Sequence, residues 1–180
     1  MSGFASPEQN INELHLKDNS VVVDLGCGTG HYVFAVASAL QAMGKKGVVY
    51  AVDVQKNLLD KVAVEATRRG FDNIRVIWSD IDVVGGIKLS DAVADIVIVS
   101  NVLFQSENKE NFLREGIRLL KSGGELMIID WLDSNGGLGP NQDLIVRQEV
   151  VELILQSLGL SKKKDFGTGA HHWGVIFRKP

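Results

Sequence analysis

Three alternate glycines behind an acid, Asp24-Leu25-Gly26-Cys27-Gly28-Thr29-Gly30, directly follow the β-branched run Val21-Val22-Val23. A buried strand ending this way must turn sharply, because glycine takes backbone angles that side chains forbid and lets main chain approach another group closely. The residues after Gly30 return to helical spacing, so the turn opens a helix whose first amides lack partners in the chain. Strand, glycine turn and helix N-terminus together make a cradle for a bound molecule. The dinucleotide fingerprint G-x-G-x-x-G/A requires a small residue where this chain carries His31, so Gly30 arrives one residue too early for a nicotinamide cofactor.

Two further acids end strands. Val48-Val49-Tyr50-Ala51-Val52-Asp53 closes on Asp53, and Ile74-Arg75-Val76-Ile77-Trp78-Ser79-Asp80 closes on Asp80. A carboxylate accepts several hydrogen bonds and donates none, which suits a vicinal diol. In an open parallel sheet, ligands bind beyond the carboxyl ends of the strands, so Asp24, Gly26, Asp53, Asp80 and Asn101 all belong to the expected site.

The motif Asp24 to Gly30, with Asp53 and Asp80 after the next two strands, resembles motif I and its companions in the class I S-adenosylmethionine-dependent methyltransferases. The resemblance extends over nearly the whole chain. Within that family it is strongest to the small quinone-biosynthesis-type branch, through Leu119-Leu120-Lys121-Ser122-Gly123-Gly124-Glu125-Leu126 and the closing His171-His172-Trp173-Gly174-Val175-Ile176-Phe177. It implies S-adenosyl-L-methionine as cofactor. Asp24, Gly26, Cys27, Gly28 and Gly30 would pack its methionine half, Asp53 would hold the ribose, Val54 would cover the adenine, and Asp80 with Ile81 would read the adenine edge. Asn101, just past the fourth strand, would border the methionine moiety or the incoming nucleophile. The implied fold is a Rossmann-like α/β three-layer sandwich with a seven-stranded, mostly parallel sheet and one antiparallel strand from a C-terminal hairpin.

Periodicity agrees with alternating strands and helices. It predicts a short leading helix over 8–16, strands at 21–25, 47–53, 74–79, 95–100 and 125–131, and helices over 30–43, 56–69, 108–121 and 142–158. Residues 161–166 and 172–178 read as the hairpin, and Asp82–Asp91 and Asp133–Pro140 read as loops, the second a candidate lid. A length of 180 residues with 45% apolar content predicts one domain over 1–180.

Methyl transfer is an in-line displacement accelerated by orientation, so a dedicated base is optional. For a hydroxyl, phenol or carbon acid, His171 or His172 is placed to remove a proton, because the antiparallel last strand begins where the parallel strands end. Strand alternation turns one of the pair inward and the other outward. Each can equally be an ordinary edge-strand histidine. Phe104, Trp131 and Trp173 can wall an apolar acceptor pocket or simply fill the core, and Arg147 can grip an anionic acceptor or lie on a solvated face.

The formal charge of −3 provides no global field for nucleic acid or an anionic membrane. Lys162-Lys163-Lys164 is the one compact basic run, and reads as a solvated strand end in preference to a phosphate-binding patch. A single cysteine, Cys27, excludes an intrachain disulfide framework and a thiolate metal cluster and fits a reducing cytoplasm. Residues 1–8 lack the pattern of a signal peptide. The expected partner is a small-molecule acceptor, with no metal and no membrane; a homodimer stays open. Competing readings are a protein that binds the cofactor or a partner without transfer, and an RNA or nucleobase methyltransferase. Ser100-Asn101-Val102-Leu103 lacks the Asn/Asp-Pro-Pro-aromatic motif of the amino-methylating nucleobase branches.

Overall fold

A computed structural model of the chain describes residues 6–44 and 46–180. The reading of the N-terminal residues 1–5 therefore lies outside the described residues. The strands are β1 (Val21–Leu25), β2 (Val48–Asp53), β3 (Ile74–Trp78), β4 (Ala94–Ser100), β5 (Leu120–Trp131), β6 (Ser161–Asp165) and β7 (His172–Arg178). The helices are α1 (Pro7–Asn10), α2 (His31–Met43), α3 (Lys56–Arg69), α4 (Lys109–Leu119) and α5 (Gln148–Ser157). The seven strands lie in the order β3-β2-β1-β4-β5-β7-β6. Only β7 is antiparallel to its neighbours, slotted between β5 and β6. The Rossmann-like α/β architecture is therefore present, with the hairpin supplying the reversed strand.

Strand alternation divides the core. Val23, Leu25, Val97, Val99, Leu126 and Ile128 face one layer, where Phe112, Leu113 and Leu119 of α4 and Val151 and Leu155 of α5 cover them. Val22, Val49, Ala51, Ile96, Ile98 and Met127 face the other, beneath Val33, Val36 and Leu40 of α2 and Leu59 and Val62 of α3. Central strands buried on both faces read as unbroken apolar runs, which is why Val21–Val23 and Ile96–Val99 show no polar alternation.

Three element boundaries differ from expectation. The leading segment is one α-turn followed by a 3-10 turn at Ile11–Glu13, not a helix over 8–16. The stretch 142–158 divides into a 3-10 turn at Gln142–Leu144, extended backbone at Ile145 and Arg147, and then α5. The break follows from a buried Val146 whose carbonyl accepts the Trp173 indole N–H at 3.0 Å, which holds the β-branched pair Ile145-Val146 out of the helix. Finally, α4 stops at Leu119 and β5 begins at Leu120, which pairs with Ala94 across a bulge.

The loop between β3 and β4 is tied down by one buried acid. Glu115 of α4 accepts the amides of Gly85 at 2.7 Å and Ile87 at 3.1 Å and pairs with Arg118, whose guanidinium also donates to the carbonyls of Ile87 and Leu89. Burial pushes the Glu115 carboxyl up, but Arg118 and the two amides outweigh it and hold the group below the usual carboxylate range. Among the described residues no helix is long and apolar enough to cross a membrane.

Candidate functional site

The turn after β1 is fastened to the end of β2. The amides of Gly26 and Cys27 both donate to the Val52 carbonyl, at 2.9 and 3.0 Å, and the Gly30 amide donates to the Cys27 carbonyl at 2.8 Å. Gly26, Gly28 and Gly30 all have positive φ, of 73°, 54° and 86°. A Cβ at Gly26 would sit 2.5 Å from Val102 Cγ2, and one at Gly30 would sit 2.9 Å from the Phe34 ring. A Cβ at Gly28 would meet nothing within 4 Å. Gly26 and Gly30 thus allow close packing, whereas Gly28 borders open space.

That space is a cavity of about 320 Å³ at the carboxyl edge of the sheet. Gly26, Cys27, Gly28, Asp53, Val54, Asp80, Ile81 and Asn101 all line it, each anticipated from sequence. Asp24, Gly30, His171 and His172 are not part of its wall. Gln55, Leu58, Asp82, Ser100, Val102, Gln105, Ser106 and Phe112 complete the lining and were not anticipated.

Asp53 is 5% exposed, and its two oxygens accept the Gly28 and Gln55 amides, each at 2.8 Å. Each carboxylate oxygen retains lone-pair capacity, so the group can orient the turn and still accept from a ligand. Asp24 lies below the turn. Burial first, and the neighbouring Asp53 charge second, push its carboxyl up to about 7 against the opposing Val33 amide. Cys27 has its thiol raised well above the ordinary range by burial and then by Asp24 and Asp53, so it is neutral and unreactive there.

Asp80 is exposed, and its carboxylate accepts the Asp82 amide at 3.0 Å, an Asx-type turn. Asp82 in turn accepts from the Ser106 hydroxyl at 2.6 Å and the Glu107 amide at 2.9 Å, joining the loop after β3 to the loop after β4. Asn101 has φ of 53°, rare for a residue with a side chain, and its amide donates to the Ile129 carbonyl at 2.9 Å. Its Oδ1 is buried with no hydrogen-bond partner. Asp130, fully buried at the end of β5, accepts the amides of Leu103 and Trp131, and burial pushes its carboxyl up to about 7.

The two histidines separate as strand alternation requires. His172 is buried, its ring centroid lies 4.3 Å from that of Trp131, neither nitrogen has a partner, and burial lowers its pKa. His171 is partly exposed, and its Nδ1 lies 2.9 and 3.1 Å from the two Asp133 oxygens. Trp173 is core and Phe104 lies at a second hollow beside Arg147. Among the described residues no cluster of three His, Cys, Asp or Glu could hold a metal.

The cavity fits a nucleoside sulfonium on three observations. Open space stands against Gly28, a buried acceptor oxygen at Asn101 lacks a donor, and a carboxylate faces the cavity at the end of β2.

Known proteins share this fold. The family described as "Methyltransferase domain" matches residues 16–155. An arsenite methyltransferase of Aquipseudomonas alcaligenes is 34% identical over 119 residues, 64% of this chain and 34% of that protein. A demethylmenaquinone methyltransferase of Lactiplantibacillus plantarum is 28% identical over 123 residues, 68% of this chain and 50% of that protein. The chain thus spans about a third to a half of the length of these curated relatives. A crystal structure of a SAM-dependent methyltransferase from Aquifex aeolicus superposes with a TM-score of 0.85 at 27% identity, covering 97% of this chain and 89% of the other. The similarity reaches both arsenite and quinone-type enzymes and does not single out the quinone branch.

Proposed function

The chain belongs to the methyltransferase domain family, and from that membership we propose that it transfers a methyl group from S-adenosyl-L-methionine to a small organic acceptor, releasing S-adenosylhomocysteine. The observation that carries this reading is the cavity in which Gly26–Gly28, Asp53, Asp80 and Asn101 meet at the carboxyl ends of four strands.

The cofactor would supply an electrophilic methyl on a sulfonium that departs as a neutral thioether. Gly28 leaves room for it, and Asp53 accepts from the ribose hydroxyls with the lone pairs its two amides leave free. Asp80 and Ile81 border the adenine, and the unpartnered Asn101 oxygen accepts from the methionine ammonium or from the acceptor. Asp24 contributes its carboxylate field from beneath the turn. Orientation of the acceptor supplies much of the acceleration.

Neither His171 nor His172 lines the cavity, so the reading assigns neither of them a proton transfer at the methyl. Asp133 holds the Nδ1 of His171 in a pair outside that wall. His172, buried against Trp131, orders the end of β5. The relatives named for arsenite and for demethylmenaquinone act on chemically unlike acceptors. Here the single thiol, Cys27, is buried and kept protonated, which disfavours a thiolate-held metalloid and favours a hydroxyl- or enol-bearing organic molecule.

Isothermal titration with S-adenosylmethionine and S-adenosylhomocysteine tests the reading directly. Saturable one-site binding of both is expected, and folded protein that binds neither ends it. Incubation with methyl-labelled cofactor and a small-molecule extract then separates transfer from binding alone.

A further inference from the structure

A second hollow, of about 370 Å³, opens beside the turn that follows β4. Phe104, Leu144, Val146 and Val150 give it apolar walls, and Lys109, Arg147 and Asp143 stand at it. Two cations against one carboxylate leave a net positive charge. No ion pair joins Asp143 to either cation among the described residues, and the Arg147 guanidinium has no hydrogen-bond partner there. The Lys109 ammonium donates to the Ser106 carbonyl at 3.1 Å, which fixes its position and leaves donors unused. Leu144 and Val150 are 49% and 47% exposed, apolar surface left to water beside unpaired cationic donors.

The hollow shares a wall with the cofactor cavity. Phe104 and Gln105 are consecutive residues of the 3-10 turn Leu103–Gln105; the first lines the hollow and the second lines the cavity. Asp130 pins that turn by accepting the Leu103 amide at 3.1 Å. Lys109, the first residue of α4, and residues 143–150, running from the segment after β5 into α5, complete the walls.

Resting on the methyltransferase reading, we propose that this hollow seats the methyl acceptor and that the acceptor is a small hydroxy- or enol-carboxylate with an apolar, ring-sized body, whose hydroxyl or enol oxygen forms the new O–CH3 bond as the sulfonium C–S bond breaks and gives its proton to solvent. The apolar body lies among Phe104, Leu144, Val146 and Val150, and the carboxylate meets the Arg147 guanidinium in the two-pronged geometry that guanidinium favours, with Lys109 as the second positive charge. The bound anion covers apolar surface that is otherwise wet and gives the Arg147 donors a partner.

The test compares 1-naphthoate with the neutral 1-naphthamide, which share a body and differ in charge, by titration into protein saturated with S-adenosylhomocysteine. Naphthoate should bind at least about tenfold more tightly. Arg147→Gln, and separately Val150→Glu, should each weaken naphthoate about tenfold or more while leaving S-adenosylhomocysteine affinity unchanged. Equal binding of the two compounds, no saturable binding of naphthoate, or indifference to both substitutions overturns the proposal. Naphthoate binding in a protein that fails to bind S-adenosylhomocysteine would keep the anion hollow and remove its role as an acceptor site. Binding of S-adenosylhomocysteine without naphthoate removes the hollow alone.

Discussion

The Asp53 carboxylate accepts the Gly28 amide at 2.8 Å, so the acid that ends the second strand also sets the shape of the glycine turn that ends the first. One side chain thereby couples two walls of the cavity. Its second oxygen does the same for Gln55, the residue before α3.

Asp53→Ala should therefore damage binding more than the loss of a single ribose contact. Two amides lose a charged acceptor, and hydrogen bonds to charged groups contribute about 1.5–3 kcal/mol each. Affinity for S-adenosylhomocysteine should fall at least about tenfold, with a lowered melting temperature. Calorimetry and a thermal melt check both, and unchanged affinity in the folded variant would exclude Asp53 from the cofactor site.

A pH dependence follows from Asp24. Its folded pKa is pushed up to about 7 from an ordinary value of 3.8, so the folded state binds a proton more tightly than the unfolded chain does. The stabilisation from that proton is complete below about pH 4 and is lost as pH rises toward 7 and beyond. Asp130, also raised to about 7, adds in the same direction. A cationic cofactor favours the ionised form, so its binding near pH 6.5 should release a proton. Titrations in buffers of different ionisation enthalpy measure that release, and Asp24→Asn should abolish most of it. Equal heats in every buffer would assign Asp24 no electrostatic role toward the cofactor.

The elements that were legible in sequence are those whose cause is local. The glycine turn, Asp53 and Asp80 could be read because each sits at a fixed offset from an apolar strand, and the divergence of His171 from His172 follows from strand alternation alone. What was not legible depends on tertiary partners. Gln142–Ser157 has the apolar spacing of a single helix, and only the Trp173 indole reaching the Val146 carbonyl divides it. Asp82 sits in a glycine-containing loop without periodicity, and its role appears once Ser106 is brought across from the next connection. Gly30 looks like its two companions in sequence, yet the Phe34 and Val62 side chains, not the cavity, explain why it carries no side chain.

Gly26 and Gly28 should respond differently to alanine. Both have positive φ, which costs a side-chain-bearing residue about 1–2 kcal/mol. Gly26→Ala adds a collision with Val102 at 2.5 Å, so it should be the more destabilising by about 1–3 kcal/mol. Gly28→Ala places its methyl in open space beside the cavity, so the protein should fold with a small loss of stability and bind S-adenosylhomocysteine about tenfold more weakly or worse. Denaturant melts and calorimetry on the two variants separate packing from binding, and identical behaviour would remove the distinction.

Asp82 offers the sharpest test of how the cavity is held closed. It lines the cavity, accepts the Ser106 hydroxyl and the Glu107 and Asn108 amides, and so joins the loop that carries Asp80 and Ile81 to the loop that carries Asn101 and Gln105. Asp82→Ala frees the two loops from each other without touching Gly28, Asp53 or Asn101. The apparent KM for S-adenosylmethionine should rise about tenfold while kcat at saturating cofactor changes by less than about threefold, because cofactor binding then restores an arrangement the free protein no longer holds. Ser106→Ala, which removes the hydroxyl donor and leaves the Glu107 and Asn108 amides, should produce a smaller effect of the same kind. A fall in kcat with KM unchanged would instead place Asp82 in contact with the reacting atoms, and no change in either would show that the loops are positioned independently of this carboxylate.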